Sequence, residues 1–225
     1  MNITVDIRKT LAALACAALG FSAPGLRAET AWTTSSCAPS DWAALADNLL
    51  AGQTGTISGA IATGYSTNDP DLLTDASVPT AGGKDWIVGF QNNASISWTF
   101  AAPKTLERVR ISCGYLAGAT YSGFTVSAVE IKAFGASTWT ALNTAAGQMA
   151  ATAQADILSL VLADGGGAPL AESIGALRVT FGNPPTGFAN YCAEIEAVFW
   201  KPTIQSLPPA VGTEESVSKS GSLVE

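Results

Sequence analysis

The chain has 225 residues, no histidine and a formal net charge of −7 at pH 7, from 11 lysines and arginines against 18 aspartates and glutamates. The lack of histidine excludes Ser-His-Asp and Cys-His catalysis and every histidine-containing zinc site. The acidic balance argues against binding to nucleic acids, whose phosphates it would repel, and against binding to anionic membranes.

The first 28 residues have the pattern of a secretory signal peptide. Arg8 and Lys9 form a basic start, residues 11–23 an apolar core, and residues 26–28 an exit ending in a small residue. Its removal leaves 8 basic and 17 acidic residues, a net charge of −9. No later stretch is long and apolar enough to predict a transmembrane segment. We therefore expect an exported chain that is secreted, periplasmic or held at the cell surface.

Residues 29–47 form a lead-in segment ahead of the first β pattern. Residues 41–50 have the pattern of a helical turn, for which Ser40 is a candidate N-cap. A second possible helical turn lies in the alanine-rich residues 142–155. We expect the lead-in to pack against the domain that follows, and the chain as a whole to contain little helix.

Residues 48–200 are predicted to form one all-β domain. Apolar Val109 and Ile111 alternate with Arg108 and Arg110, as in a strand with one buried face. About eight such segments, separated by turn signals, are typical of a jelly-roll β-sandwich with antiparallel strands. The predicted strands are residues 54–62, 95–100, 106–113, 124–134, 139–142, 157–162, 177–181 and 191–200.

Cleavage of the signal peptide would remove Cys16 and leave three cysteines. An exported chain would expose them to an oxidising compartment, where disulfides form. Cys113 ends one predicted strand and Cys192 lies near the start of the last one, so antiparallel pairing would bring them together. Cys113–Cys192 is therefore the first candidate disulfide, and Cys37–Cys192 is the second.

Loops at one end of the predicted sandwich carry side chains suited to sugars. Tyr115 and Tyr121 lie among glycines and alanines that give them little reason to be buried, and the loops with Asn92, Phe188 and Asn190 would complete a binding rim. Aromatic rings stack on the C–H face of a sugar while amides bind its hydroxyls. The alternative is that the tyrosines cover the sandwich edge. The aromatic residues within or next to predicted strands are assigned to the core: Trp98, Phe100, Phe134, Phe181, Phe199 and Trp200.

Two carboxylates on the last predicted strand are the candidate catalytic pair. Glu194 and Glu196 face the same way and lie roughly 7 Å apart, a separation that permits glycoside hydrolysis. The sequence shows nothing that would build a cleft around them. We therefore predict that the protein is not an enzyme.

Short motifs occur in a fixed order along residues 48–200: Asn48-Leu49-Leu50, Leu72-Leu73-Thr74-Asp75, Ile96-Ser97-Trp98, Leu106-Glu107-Arg108-Val109-Arg110, Leu177-Arg178-Val179 and Ala193-Glu194-Ile195-Glu196. In this order they resemble the discoidin, or coagulation-factor type C, modules of the galactose-binding-domain-like superfamily. The resemblance implies a β-sandwich that binds a ligand, which in these modules is a glycan, a lipid head group or a protein.

The resemblance also implies a structural calcium ion. In discoidin-like modules the turn after Leu-Thr-Asp wraps the ion together with a glutamate of the last strand, which here gives Asp75, Ser77, Thr80 and Glu194. This chain departs from the family pattern at Ala76, where glycine is usual, and at Ser77, where asparagine or aspartate is usual. The alternative is a hydrogen-bonded turn closed by Glu194 without a metal.

These features predict an exported, non-catalytic recognition or adhesion module that binds an extracellular glycan or cell-surface polymer. The alternative is a structural spacer of a larger surface protein, and a glycan-active enzyme is the third hypothesis. Residues 201–225 are rich in Pro, Ser and Glu and have the composition of a linker or frayed tail. A linker at this place is compatible with further modules of a longer chain.

Overall fold

The computed structural model describes residues 30–62, 67–78, 87–113, 123–149, 156–185 and 189–200. In these ranges helix is limited to two 3-10 turns, Pro39–Asp41 and Pro70–Leu73. No helix in the described ranges is long and apolar enough to cross a membrane.

The rest of the regular structure is β-strand, and paired strands are antiparallel. The strands are β1 (Thr30–Cys37), β2 (Thr56–Ser58), β3 (Val88–Phe90), β4 (Ser95–Cys113), β5 (Phe124–Ala133), β6 (Thr140–Ala141), β7 (Gly147–Met149), β8 (Ile157–Asp164), β9 (Ala171–Phe181) and β10 (Asn190–Phe199). The predicted all-β sandwich of antiparallel strands with little helix is confirmed.

The long strand β4 joins the two halves of the fold. Its first part pairs with β2 and β9, and its second part pairs with β10 and β8. The register on β9 shifts between Thr99 and Lys104, around Pro103, which cannot donate a ladder hydrogen bond. The sequence predicted two strands here, and the structure has one irregular strand that pairs with four others in the ten-stranded sheet of the described residues.

The core is formed by the buried apolar side chains of these strands. Val109, Ile111 and Cys113 are buried while Arg108 and Arg110 remain partly exposed, as the alternation predicted. Phe181 stacks on Phe90 with ring centres 4.1 Å apart, which ties the last residue of β9 to β3. Trp98, Phe100 and Phe181 are buried as expected, whereas Phe199 and Trp200 are only partly buried and Phe134 is exposed.

The lead-in differs from its prediction. Residues 30–37 form β1, which pairs along its whole length with β8. Residues 42–50 contain no helix, and Ser40 lies inside the short 3-10 turn, whose N-cap is Ala38. Part of the second predicted helical stretch, residues 142–155, forms β7, and residues 150–155 lie outside the described ranges. In both places pairing or packing with distant strands replaces local helical hydrogen bonds.

Cys113 and Cys192 are direct cross-strand partners on β4 and β10, as predicted. No disulfide joins the described cysteines, so the predicted bond is wrong for this structure. The register shifts just after Cys192, and its thiol donates to the main-chain oxygens of Ser112 and Glu194, each at 3.7 Å. Burial raises the pKa of Cys113 to about 12 and the pKa of Cys192 well above its ordinary value, because a thiolate in the core would lose its hydration.

Candidate functional site

The predicted sugar-binding rim is only partly within the described residues. Tyr115, Tyr121 and Phe188 lie outside them. Asn92 is exposed in the turn between β3 and β4, a position open to a ligand.

Asn190, a predicted ligand-binding residue, is buried and has a structural role. Its side chain is fully buried, and its amide nitrogen donates to the carbonyls of Phe90 and Gly182 at 3.2 and 2.9 Å. Its amide oxygen accepts from the backbone N–H of Thr125 at 2.7 Å. Three of its four hydrogen-bonding positions therefore hold backbone segments together, and Asn190 is not part of an exposed rim.

A different site is formed on the face of β4, β5 and β9. It is a cavity of about 300 Å³ beside the hairpin that connects β5 to β6. Phe134, assigned to the core from the sequence, is 44% exposed here because the chain turns at Gly135, whose φ is +80°. The lining residues are Thr99, Phe100, Lys132, Ala133, Phe134, Gly135, Ala136, Trp139, Gly175 and Ala176.

Small residues on β9 make the floor of this cavity. Ala176 is the cross-strand partner of both Lys132 on β5 and Thr99 on β4, so a methyl group lies between two longer polar side chains. A Cβ atom at Gly175 would lie 2.9 Å from Cα of Phe134. The β9 backbone can therefore approach the hairpin closely only because residue 175 is glycine.

An ion pair fixes the strand face beside the cavity. Glu130 and Arg178 are directly opposite each other on β5 and β9, and Nε and Nη2 of Arg178 each donate to the carboxylate at 2.7 Å. The Thr180 hydroxyl donates to the same carboxylate at 3.1 Å. Hydrogen bonding from Arg178 is the main reason that the pKa of Glu130 is lowered.

Trp139 is the central aromatic side chain of the cavity. The guanidinium of Arg178 lies 4.3 Å from the centre of the indole ring, and the ammonium of Lys132 lies 4.7 Å from it. Both are cation–π contacts that restrict the ring to one orientation. Within the described part of the chain, Lys132 makes no ion pair with a carboxylate. The site thus combines an aromatic surface, a hydroxyl at Thr99 and an uncompensated positive charge.

The sequence analysis missed this site. Trp139 was read as the first residue of a strand, but it precedes β6 and is partly exposed at the end of a hairpin. The available signal was a tryptophan directly after the small, polar residues 135–138, where a core position is improbable. The missing information was the pairing of β5 with β9, which places Arg178 beside the ring.

The candidate catalytic carboxylates do not form a catalytic pair in this structure. Glu196 is fully buried, pairs with Arg110 and accepts a hydrogen bond from the backbone N–H of Leu45 at 2.6 Å. Arg110 also donates to the Ala43 carbonyl at 2.7 Å and lies 4.9 Å from the ring centre of Trp42. Glu196 therefore holds the lead-in against the sheet, and neither glutamate lines the cavity described above.

Glu194 has an unusual environment. It is fully buried, and neither of its carboxyl oxygens has a hydrogen-bond partner within the described ranges. Burial, and after it the charges of Glu196 and Asp75, raise the pKa of Glu194 to about 9. The backbone amides of Ala76 and Ser77 lower this pKa, although they are not in hydrogen-bonding geometry.

The turn facing Glu194 is built around Asp75. The backbone N–H and the hydroxyl of Ser77 both donate to Asp75 Oδ1, at 2.9 and 2.7 Å. The structure thus brings together Asp75, Ser77 and Glu194, while Thr80 lies outside the described residues. In the described ranges, no group of three or more acidic, cysteine or histidine side chains is placed so that it could hold a metal ion. The orphaned oxygens of Glu194 nevertheless fit a hard cation, which binds carboxylate, hydroxyl and carbonyl oxygens.

No protein-family model and no curated protein matches this chain. It is similar to the solved structure of chitosan-binding module 1 of a chitosanase/glucanase from Paenibacillus sp. IK-5, with 18% identity and a TM-score of 0.43 over 67% of this chain and 97% of that one. It is also similar to an F5/8 type C domain from Bacteroides fragilis, with 14% identity and a TM-score of 0.41 over 66% and 99%. A third similar structure is a CBM32 module produced by Clostridium perfringens, in complex with GlcNAc-α-1,4-galactose, with 12% identity and a TM-score of 0.39 over 67% and 92%.

Proposed function

We propose that this protein is an exported, non-catalytic carbohydrate-binding module that recognises an extracellular glycan or adheres to a cell-surface polymer. The observation that carries the proposal is the cavity at Trp139. An indole ring held by two cations offers a flat surface for the C–H face of a sugar, and Thr99 and Lys132 offer hydrogen bonds to its substituents. A volume of about 300 Å³ is at the lower end of small-molecule sites, as expected for one or two sugar units.

The polar groups of the cavity favour binding over hydrolysis. No carboxylate lines it among the described residues. The nearest one on the same face, Glu130, is held by Arg178 and Thr180. Glycoside hydrolysis needs two carboxyl groups on either side of the scissile bond, and this arrangement does not supply them.

The end loops remain the second predicted location for glycan binding. Asn92 is exposed there, and Tyr115, Tyr121 and Phe188 keep their assignment as predictions. If glycan binds in the cavity, substitution of Trp139 should weaken binding, whereas binding in the end loops should depend on Tyr115 and Tyr121. One binding experiment with both kinds of variant therefore distinguishes the two locations.

A structural calcium ion near Glu194 is part of the proposal. A cation between Glu194 and Asp75 would offset the cost of burying one carboxylate and the repulsion between both. Ser77 and Thr80 are the further ligands that the family resemblance implies. The ion's contribution would be to join the turn after Pro70–Leu73 to β10.

The proposal is tested by glycan-array binding of the exported protein and of its Trp139→Ala variant. We expect the variant to lose about tenfold or more in affinity, equivalent to about 1.4 kcal/mol, because the stacking surface is removed. Thr138→Ala is the matched control, since Thr138 is exposed in the same hairpin and lacks a ring. It should bind as the parent does.

The double variant Tyr115→Ala/Tyr121→Ala completes the design. Loss of binding in this variant, with Trp139→Ala unaffected, would place the site in the end loops. If the folded parent protein binds no glycan, the carbohydrate-binding proposal is wrong and the spacer hypothesis takes its place. Near-ultraviolet circular dichroism of every variant verifies that the fold is retained.

A further inference from the structure

We propose that the cavity at Trp139 selects an anionic sugar unit, one that carries a carboxylate or a sulfate. The inference rests on the proposed function, because it assumes that a glycan occupies this cavity. The inference specifies the chemical class of that glycan and identifies Lys132 as the residue that binds its acidic group.

The charge balance of the cavity differs from that of the protein. The chain without residues 1–28 carries a net charge of −9. The described lining of the cavity contains one lysine and no acidic residue. The neighbouring Arg178 is compensated by Glu130, so Lys132 supplies a net positive charge at the cavity. A cationic glycan would be repelled there, and a neutral one would leave the ammonium without a counter-charge.

The position of Lys132 suits contact with a ligand. Its ammonium lies over the Trp139 ring, 4.7 Å from the ring centre, so a sugar unit that contacts the indole also comes close to this charge. Ala176, between Lys132 and Thr99 in the cross-strand row, leaves space for a sugar ring above the sheet. A unit stacked on Trp139 would place an acidic substituent at Lys132 and a hydroxyl at Thr99. Ammonium–carboxylate and ammonium–sulfate hydrogen bonds are the stronger, charge-assisted kind.

Arg178 has a different part in this site. Both of its donating nitrogens are directed at Glu130, and its guanidinium plane contacts Trp139 at 4.3 Å. It therefore acts as a positioning residue for the indole ring. Lys132 is the group that contacts the anion.

The test measures binding of the exported protein to four soluble polysaccharides by isothermal titration calorimetry. Polygalacturonate offers carboxylates, dextran sulfate offers sulfates, dextran is neutral and chitosan is cationic. We expect at least tenfold tighter binding to one of the two anionic polymers than to dextran, and no binding to chitosan. The preferred anionic polymer identifies the acidic group.

Three lysine variants separate recognition from general charge. Lys132→Met keeps the aliphatic stem and removes the charge, and we expect it to lose about tenfold in affinity for the anionic polymer. Lys132→Arg should retain most of the affinity for the anionic polymer, because it keeps the positive charge. Lys104→Met is the matched control, because Lys104 makes the same type of contact with Phe199, at 4.8 Å, away from the cavity. It should bind as the parent does.

Each negative result has a distinct meaning. If dextran binds as tightly as the anionic polymers and Lys132→Met is unchanged, the inference is wrong while carbohydrate binding stands. If Lys104→Met weakens binding as much as Lys132→Met, attraction is unspecific and the inference is also wrong. If no polysaccharide binds to the folded protein, both the inference and the proposed function fail.

Discussion

At the scale of single residues, Ala76 shows how this chain departs from the family it resembles. The family usually has glycine after the aspartate of this turn, and alanine is present here. The backbone nevertheless has φ +62° at Ala76, in the left-handed region that glycine adopts without strain. The turn conformation has therefore been kept without the residue that suits it best, and the cost is on the order of 1 kcal/mol.

Ala76→Gly is predicted to raise the free energy of unfolding by about 0.5 to 1 kcal/mol. The relief of left-handed strain exceeds the entropy that glycine adds to the unfolded chain. Urea denaturation followed by tryptophan fluorescence measures the change. The control is Ala101→Gly, at an exposed position in β4 without positive φ, which should lower stability. Equal effects of both variants would contradict the strain argument.

At the scale of elements, the β5–β9 pair determines the geometry of the face that carries the cavity. Its register places Glu130 opposite Arg178, after a bulge between Val126 and Ala128. The spacing of apolar Val126, Val129 and Ile131 in the sequence also indicates a bulge at Ser127-Ala128, and the register shift confirms it. Because one residue of slippage would reverse which side chains face outward, this bulge decides that Glu130 and Lys132 lie on the cavity face.

Glu130→Gln is predicted to lower stability by about 1 kcal/mol at pH 7. Since the folded-state pKa of Glu130 is lowered, its contribution is present above the unfolded-state pKa and is lost as pH falls through the folded-state pKa. The difference between parent and variant should therefore shrink as the pH falls below about 4. Urea denaturation at a series of pH values measures it.

Glu107→Gln is the control for this experiment. The Glu107 carboxylate lies 3.7 Å from Nε of Arg108, too far for a hydrogen bond, and both side chains are partly exposed, so this substitution should have little effect on stability. A stability difference for Glu130→Gln that does not change with pH would contradict the ion-pair explanation.

At the scale of the whole molecule, two contacts to the last strand join distant parts of the chain. Glu196 binds Arg110 and the backbone of Leu45, which fixes the lead-in. Glu194 faces the turn at Asp75 with unpartnered oxygens. The first contact is complete without a ligand, whereas the second would be completed by a cation.

Calcium is predicted to raise the melting temperature of the protein by about 5 to 10 °C at a concentration near 100 times its dissociation constant. Glu194→Gln should abolish this increase and should melt close to the parent protein when calcium is removed with EDTA. Differential scanning fluorimetry with calcium and with EDTA measures both effects.

The matched control for calcium is Asp71→Asn, which removes one exposed negative charge from the same acidic stretch. It should keep the full calcium-dependent increase. A parent protein whose melting temperature is unchanged by calcium would contradict the metal proposal and favour the turn closed by Glu194 alone.

The sequence by itself determined the fold class and most strands. A strand with one buried face alternates apolar and polar side chains, and this pattern can be recognised from neighbouring residues alone. Residues 124–134 and 191–200, for example, were predicted within a residue or so of β5 and β10. It did not reveal β1, whose outward side chains are polar and which pairs with β8, distant in the chain.

The tertiary structure decided the positions that depend on long-range register. Asn190 was predicted to be a sugar-binding amide in a loop, but its side chain is hydrogen-bonded to three backbone groups. Phe134, assigned to the core from the sequence, and Trp139, assigned to the start of a strand, line a surface cavity because β9 places a glycine, an alanine and an arginine beside them. Side-chain type limits what a residue can bind, but only packing decides whether its polar groups and rings are free to do so.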